Sequence, residues 1–183
     1  MSGASRDSNV IGRLVPIVVG CMLVGSIVAS FFEASHQLEG RQAPSFSAIV
    51  IAGDASLRGT QFDLQAHRGK VVLIDFWATW CPPCRASIPV LSRIAHRYRD
   101  RGVEVIGVDT ESNLDPSSLA SSFDELGGTF RSVQDQSGDI TRAFSVTSLP
   151  TLFIVDRTGV VRKTHIGAAN EDELEREIQR IIN

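Results

Sequence analysis

The stretch Val71-Val72-Leu73-Ile74-Asp75-Phe76-Trp77-Ala78-Thr79-Trp80-Cys81-Pro82-Pro83-Cys84-Arg85 decides the fold. Its first seven residues are apolar or aromatic except Asp75, the pattern of a short strand buried on both faces. From Pro82 to about Asp100, Ile88, Leu91, Ile94 and Ala95 recur at helical spacing. A buried strand thus runs into a helix through a loop that carries Cys81-Pro82-Pro83-Cys84. A helix N-terminus offers unpaired N–H groups and the positive end of its dipole, and both favour a thiolate at Cys81. Cys84 lies one turn further along the same face, in reach for a disulfide. This reading leaves Cys81 exposed at the helix end and Cys84 one turn in.

Outward from that core, Val103 to Val108 reads as the next strand, and Asp115-Pro116 starts a helix that includes Leu119 to Leu126. Phe46 to Ile51 and Gln61 to Leu64 read as two short strands around Gly53-Asp54. Thr151 to Val155 and Val160 to Ile166 form a hairpin around Asp156-Arg157-Thr158-Gly159. Asn170 and Glu173 give a capping-box-like start to a last helix, with Leu174, Ile178 and Ile181 or Ile182 on one face. A strand–helix–strand order implies parallel pairing with helices on both sheet faces, and the closing hairpin adds antiparallel strands. The class is α/β with a mixed central sheet, a three-layer sandwich.

The 183 residues suffice for one domain and a short extra segment. With 43% hydrophobic and 21% charged residues, wholesale disorder is excluded. A net charge of −3 argues against a nucleic-acid surface built on excess cations. Three cysteines are too few for a disulfide-stapled scaffold. Structural zinc fails on ligand count, because Cys21 stands far upstream and His96 has no second histidine at metal spacing. No metal and no cofactor beyond the Cys81–Cys84 pair is expected.

Leu14 to Phe32 is a run of 19 uncharged residues, about the length of a membrane-crossing helix. Arg6 and Arg13 precede it, while Glu33, His36 and Glu39 follow, so the positive-inside rule keeps the N-terminus in the cytoplasm. The expected organisation is a cytoplasmic tail over 1–13, a signal-anchor helix over 14–32, a tether over 33–45 and an exported domain over 46–183. That is a single-pass protein of the inner (cytoplasmic) membrane with its domain in a periplasm or equivalent extracytoplasmic space. Two alternatives stay open: cleavage near Val28-Ala29-Ser30, and lipidation of Cys21 within Val18-Val19-Gly20-Cys21. Each exports the same domain.

The stretch from Val71 to Arg85 resembles the thioredoxin superfamily, above all its membrane-tethered TlpA/ResA/CcmG-like branch. Ala43-Pro44-Ser45-Phe46 is similar to the branch's entry segment, and Arg68-Gly69-Lys70 to the residues before its central strand. Ser148-Leu149-Pro150-Thr151-Leu152-Phe153 is similar to its cis-proline loop, some 65 residues after Cys84. The resemblance implies a thioredoxin-like fold and an extracytoplasmic thiol–disulfide oxidoreductase. It makes Cys81 the nucleophile, Cys84 the resolving thiol and Pro150 the cis-proline, with Trp80, Pro82, Pro83 and Leu149 toward substrate. The partners it implies are exported proteins with cysteine pairs, including apocytochrome c as a candidate, and a membrane protein that delivers electrons.

Two positions depart from the branch. Asp75 stands where many members have Asn, and Ser87 where they have Glu, so the acid has moved to the place of thioredoxin's own buried aspartate. A desolvated carboxylate there has a role, accepting the Cys84 proton when the mixed disulfide is resolved. The alternative is a hydrogen-bonded, inert Asp75. Trp77 and Trp80 read as core first and substrate surface second, Phe123, Phe130 and Phe144 as core, and His67, His96 and His165 as surface or satisfied residues. A second function class, a copper-handling binding module on the same fold, would need a third ligand that the sequence does not offer. A peroxidase would need an isolated cysteine after a Pro- and Thr-rich loop.

Overall fold

The computed structural model describes residues 36–183. The expected tail, membrane span, first tether residues and both processing motifs therefore lie outside the described residues. Among the described residues no helix is long and apolar enough to cross a membrane.

Strands β1 (Ser47–Ala52) and β2 (Gln61–Asp63) come first, followed by β3 (Val71–Trp77), α1 (Pro82–Tyr98), β4 (Val103–Asp109) and α2 (Pro116–Glu125). Then come β5 (Arg131–Gln134), the short α3 (Asp139–Ala143), the hairpin β6 (Thr151–Val155) and β7 (Val161–Ile166), and α4 (Glu171–Ile182). All seven strands join one sheet in the order β2-β1-β5-β4-β3-β6-β7. The central pairs β5–β4 and β4–β3 are parallel, and the outer pairs are antiparallel. In this register Asp75 stands between Gly107 and Leu152, and Trp77 lies beside Asp109.

Because successive side chains alternate across a strand, β3 divides into two sets. Val71, Leu73, Asp75 and Trp77 face α1, α2 and α4, where Ile88, Leu91, Ile94, Phe123, Leu174 and Ile178 pack. Val72, Ile74 and Phe76 face the other layer with Phe62, Ile140, Phe144 and Phe153. Every residue of β3 is buried, which explains its nearly unbroken apolar run. The Trp77 indole leans across β4 and donates to Ser132 Oγ at 3.0 Å. Position 107 must be glycine for that, since a Cβ would stand 2.9 Å from Ser132 Oγ and 3.1 Å from Trp77 Nε1.

Pro82 and Pro83 fill the first positions of α1, where a missing N–H costs nothing. The chain leaves the helix through a 3-10 turn, Arg99–Arg101, and Gly102 at φ 78°. The last helix starts as expected, with the Asn170 side chain accepting the Glu173 N–H.

Three findings differ from the sequence reading. Residues 36–45 do not stand free as a tether. Gly40 N–H donates to Val161 O, Ala43 N–H to Gly159 O, and Thr164 N–H to the Glu39 carboxylate, while Ala43 is buried. Leu38 and Ala43 give that segment an apolar side to lay on the sheet, which outweighs its polar composition. Strand β5 and helix α3 were not expected at all. The former is four residues long with two buried, and the latter is five residues long, too little for either period to register.

Candidate active site

Cys81 is the N-cap of α1, and its Sγ accepts the Cys84 N–H at 3.2 Å. The two prolines make this geometry necessary: neither has an N–H, so Cys84 carries the first free donor of the helix. The Arg85 N–H goes to Cys81 O. The two cysteines are joined as a disulfide with Cα atoms 5.3 Å apart. Both are buried, Cys81 at 2% and Cys84 at 0% exposure. The expectation of an exposed Cys81 is thus corrected, because the N-cap contact turns its sulfur inward. What is exposed is the rim around it, Trp80 at 67%, Pro82 and Pro83. The expectation that both tryptophans are core first holds for Trp77 and is corrected for Trp80, which lies on the surface because the loop after β3 carries it clear of the sheet.

The Leu149–Pro150 peptide bond is cis. Pro150 is buried, and its carbonyl accepts the Gly167 N–H. The next residue, Thr151, pairs with Phe76 on one side and Ile166 on the other, which puts Pro150 at the end of the sheet where β3 leads into Cys81. Leu149 is half-buried against both apolar clusters.

Asp75 lies on the face that α1 covers, between Leu73 and Trp77, and is 1% exposed. Its Oδ2 has no hydrogen-bond partner. Burial without compensation pushes its carboxyl up to about 8. Ser87, in contrast, is occupied: its Oγ donates to Pro83 O and accepts the Ala169 N–H, tying α1 to the loop before α4. Arg85 is exposed. His67 stacks on Phe62 and bonds Asp63 O, while His165 pairs with Glu177, so both are satisfied.

Sequence reasoning missed a second group of residues beside the cysteines. Glu111 accepts the Thr79 N–H at 2.6 Å and the Thr79 hydroxyl at 3.2 Å, and Thr79 is two residues before Cys81. Asp109, fully buried, accepts the Glu111 N–H at 2.9 Å through Oδ1 and leaves Oδ2 unpartnered. The expected strand stopped at Val108, and a loop Asp-Thr-Glu reads as solvated, so only the register against Trp77 reveals them. Among the described residues no three His, Cys, Asp or Glu side chains form a metal-binding group.

The family model described as Redoxin matches residues 38–180. The chain is 32% identical over 179 residues to the thiol-disulfide oxidoreductase ResA of Geobacillus thermodenitrificans, covering 96% of this chain and 98% of that protein. It is 34% identical over 141 residues to the thioredoxin-like protein YneN of Bacillus subtilis, covering 76% of this chain and 78% of that one. Among solved structures it is similar to a secreted Mycobacterium tuberculosis disulfide oxidoreductase, with TM-score 0.62 and 25% identity over 74% of this chain and 95% of that one. The mixed sheet with its flanking helices is accordingly a thioredoxin-like fold.

Proposed function

The chain belongs to the Redoxin family and is a thiol–disulfide oxidoreductase, and we propose that it reduces disulfides of exported proteins through Cys81 and Cys84. The observation that carries this reading is the Cys81–Cys84 disulfide at the start of α1, with an unpartnered carboxyl, Asp75, on the sheet face beneath that helix.

In the proposed reaction the Cys81 thiolate attacks one sulfur of a substrate disulfide. That S–S bond breaks, a Cys81–substrate bond forms, and the leaving substrate sulfur takes a proton. Before the attack the Cys84 N–H, aimed at Cys81 Sγ, stabilises the negative charge of the thiolate. Cys84 then gives its proton to Asp75 and attacks Cys81 Sγ, which breaks the Cys81–substrate bond, and the second substrate sulfur leaves as a thiolate that takes a proton from solvent. Two electrons have passed from the dithiol to the substrate, and a membrane protein that delivers electrons restores the dithiol. Trp80, Pro82, Pro83 and Leu149 form the surface against which the substrate lies.

The apolar run Leu14 to Phe32 supports a membrane anchor and an extracytoplasmic domain. On this reading the cysteine pair of an apocytochrome c is a candidate substrate. In an oxidising compartment such a reductant requires an upstream electron source.

Three measurements test the proposal. Its reduction potential should lie below about −230 mV, and a value near −120 mV would make it an oxidant instead. A Cys84→Ser variant should trap substrates on Cys81 as mixed disulfides, while stoichiometric Cu(I) binding by a chain inactive in disulfide exchange would favour the metal-handling alternative.

A further inference from the structure

The residues that place Cys81 extend beyond its own helix. β3 ends at Trp77 and β4 at Asp109, side by side in a parallel register. The Thr110 N–H stitches the two strand ends together by donating to Trp77 O at 3.1 Å, and the Asp135 N–H, just after β5, ties that strand to β4 by donating to Asp109 O at 2.8 Å. From this platform the Glu111 carboxylate reaches the loop between β3 and α1 and takes both donors of Thr79. Behind Glu111, its own N–H is held by Asp109 Oδ1. Gln134 adds a third tie by donating to Glu111 O at 2.8 Å.

We propose that Glu111 is a positioning residue for Cys81, which it holds through Thr79, and that Asp109 seats Glu111. The inference rests on the oxidoreductase reading for its functional consequence. The geometry has a reason to be selective. A carboxylate accepting a backbone N–H at 2.6 Å makes a charge-assisted bond, stronger than the neutral bonds elsewhere in the loop. Besides the Cys81 N–H bond to Ala78 O, the loop has little else to hold it, since Trp80 is exposed and the two residues after Cys81 are prolines without N–H groups.

Asp109 makes the hold sensitive to protonation. Its buried Oδ2 has no partner, and burial, with the adjacent Glu111 charge, pushes its carboxyl up to about 7. Around it stand Asp75 on β3, Glu111 on its own loop, Asp135 after β5 and, once reduced, Cys81 and Cys84 of α1, while on the same elements Glu104 and Arg131 pair with each other and Arg85 is exposed. Asp135 is engaged by the Ile140 and Thr141 N–H groups and the Thr141 hydroxyl. Among the described residues no cation pairs with Asp109. Ionising it therefore makes the bond from the Glu111 N–H charge-assisted and tightens the seat, an effect that repulsion between the two carboxylates offsets only in part.

The test uses the oxidised full chain, in which neither cysteine titrates. The Thr79 amide proton shift should lie far downfield and show a step near pH 7 in the wild type and in Asp75→Asn. Asp109→Asn should remove the step, and Glu111→Ala should remove the downfield shift. Glu111→Gln, which keeps an acceptor for the Thr79 N–H, should retain part of it. In the reduced protein, alkylation of Cys81 should slow about fivefold or more in Glu111→Ala and less than twofold in Glu111→Gln, the size of one charge-assisted hydrogen bond. A wild-type shift and alkylation rate in both Glu111 variants would overturn the proposal, and a step that survives in Asp109→Asn would overturn the role of Asp109. If Glu111→Ala fails to fold, Glu111→Gln and Asp109→Asn decide alone. The amide shift reads the hold whether or not the protein exchanges disulfides, so failure of the oxidoreductase reading would appear separately, as a wild-type chain inactive toward a disulfide substrate.

Discussion

The two faces of β3 differ in what they bury. On the face under α1 the strand presents Asp75 and Trp77 among apolar neighbours, and the cysteine pair sits in the same layer. On the opposite face it presents only Val72, Ile74 and Phe76, packed against Phe144 and Phe153 with ring centroids 5.1–5.8 Å apart. One layer keeps polar atoms without partners, a cost that a purely structural core avoids. The other supplies rigidity through close aromatic contact. The contrast separates reactivity from stability, residue by residue.

The largest effect should come from the reactive layer. Cys81→Ser should abolish disulfide exchange while thermal unfolding stays cooperative, as an exchange assay beside a calorimetric scan would show. If the variant kept measurable exchange, the division between the faces would lose its basis.

Next comes the aromatic layer. Phe153→Ala should destabilise the fold by about 3–5 kcal/mol in denaturant titration, since it empties a fully buried ring site. Its exchange rate at low temperature, where the fold persists, should stay within about twofold of wild type, because Phe153 packs in the cluster on the opposite face of the sheet from the cysteines.

Asp75 links reactivity and stability. Its folded carboxyl is raised to about 8, above its unfolded value, so the folded state retains the proton longer. The stability this confers is fully present below about pH 4 and is lost as pH rises toward 8, by up to about 1.4 kcal/mol per pH unit. Asp75→Asn should flatten that slope in the oxidised protein and raise stability at pH 7, as urea titrations at several pH values would reveal. A slope unchanged by the substitution would mean that Asp75 is not the group that titrates.

A smaller effect is expected at Ser87. Ser87→Ala leaves the Ala169 N–H without its partner and should cost about 1 kcal/mol, with the reduction potential unmoved.

The same contrast explains what the sequence made legible. β3 and α1 announce themselves because burial on both faces demands an apolar run, and burial on one demands helical spacing. Cys81, Cys84 and Asp75 follow from that frame, and Pro150 from the family resemblance. β5 stays hidden because its place between β4 and β1 is set by the sheet, while only Ser132 and Val133 are buried in it. Glu111 and Asp109 stay hidden for another reason. Their partners, Thr79 and the Glu111 backbone, are brought to them by strand register, which leaves no periodic trace in the chain.

The central claim is that the unpartnered carboxyl of Asp75 takes the Cys84 proton. Stopped-flow measurement of both exchange steps from pH 5 to 9, in the wild type and Asp75→Asn, tests it directly. The wild-type resolution rate should climb with pH and level off near 8, where Asp75 ionises. In Asp75→Asn that inflection should vanish and resolution near neutral pH should slow about tenfold or more, with the first attack by Cys81 little changed. Resolution kinetics identical in the two proteins would contradict the claim and leave Asp75 a structural residue.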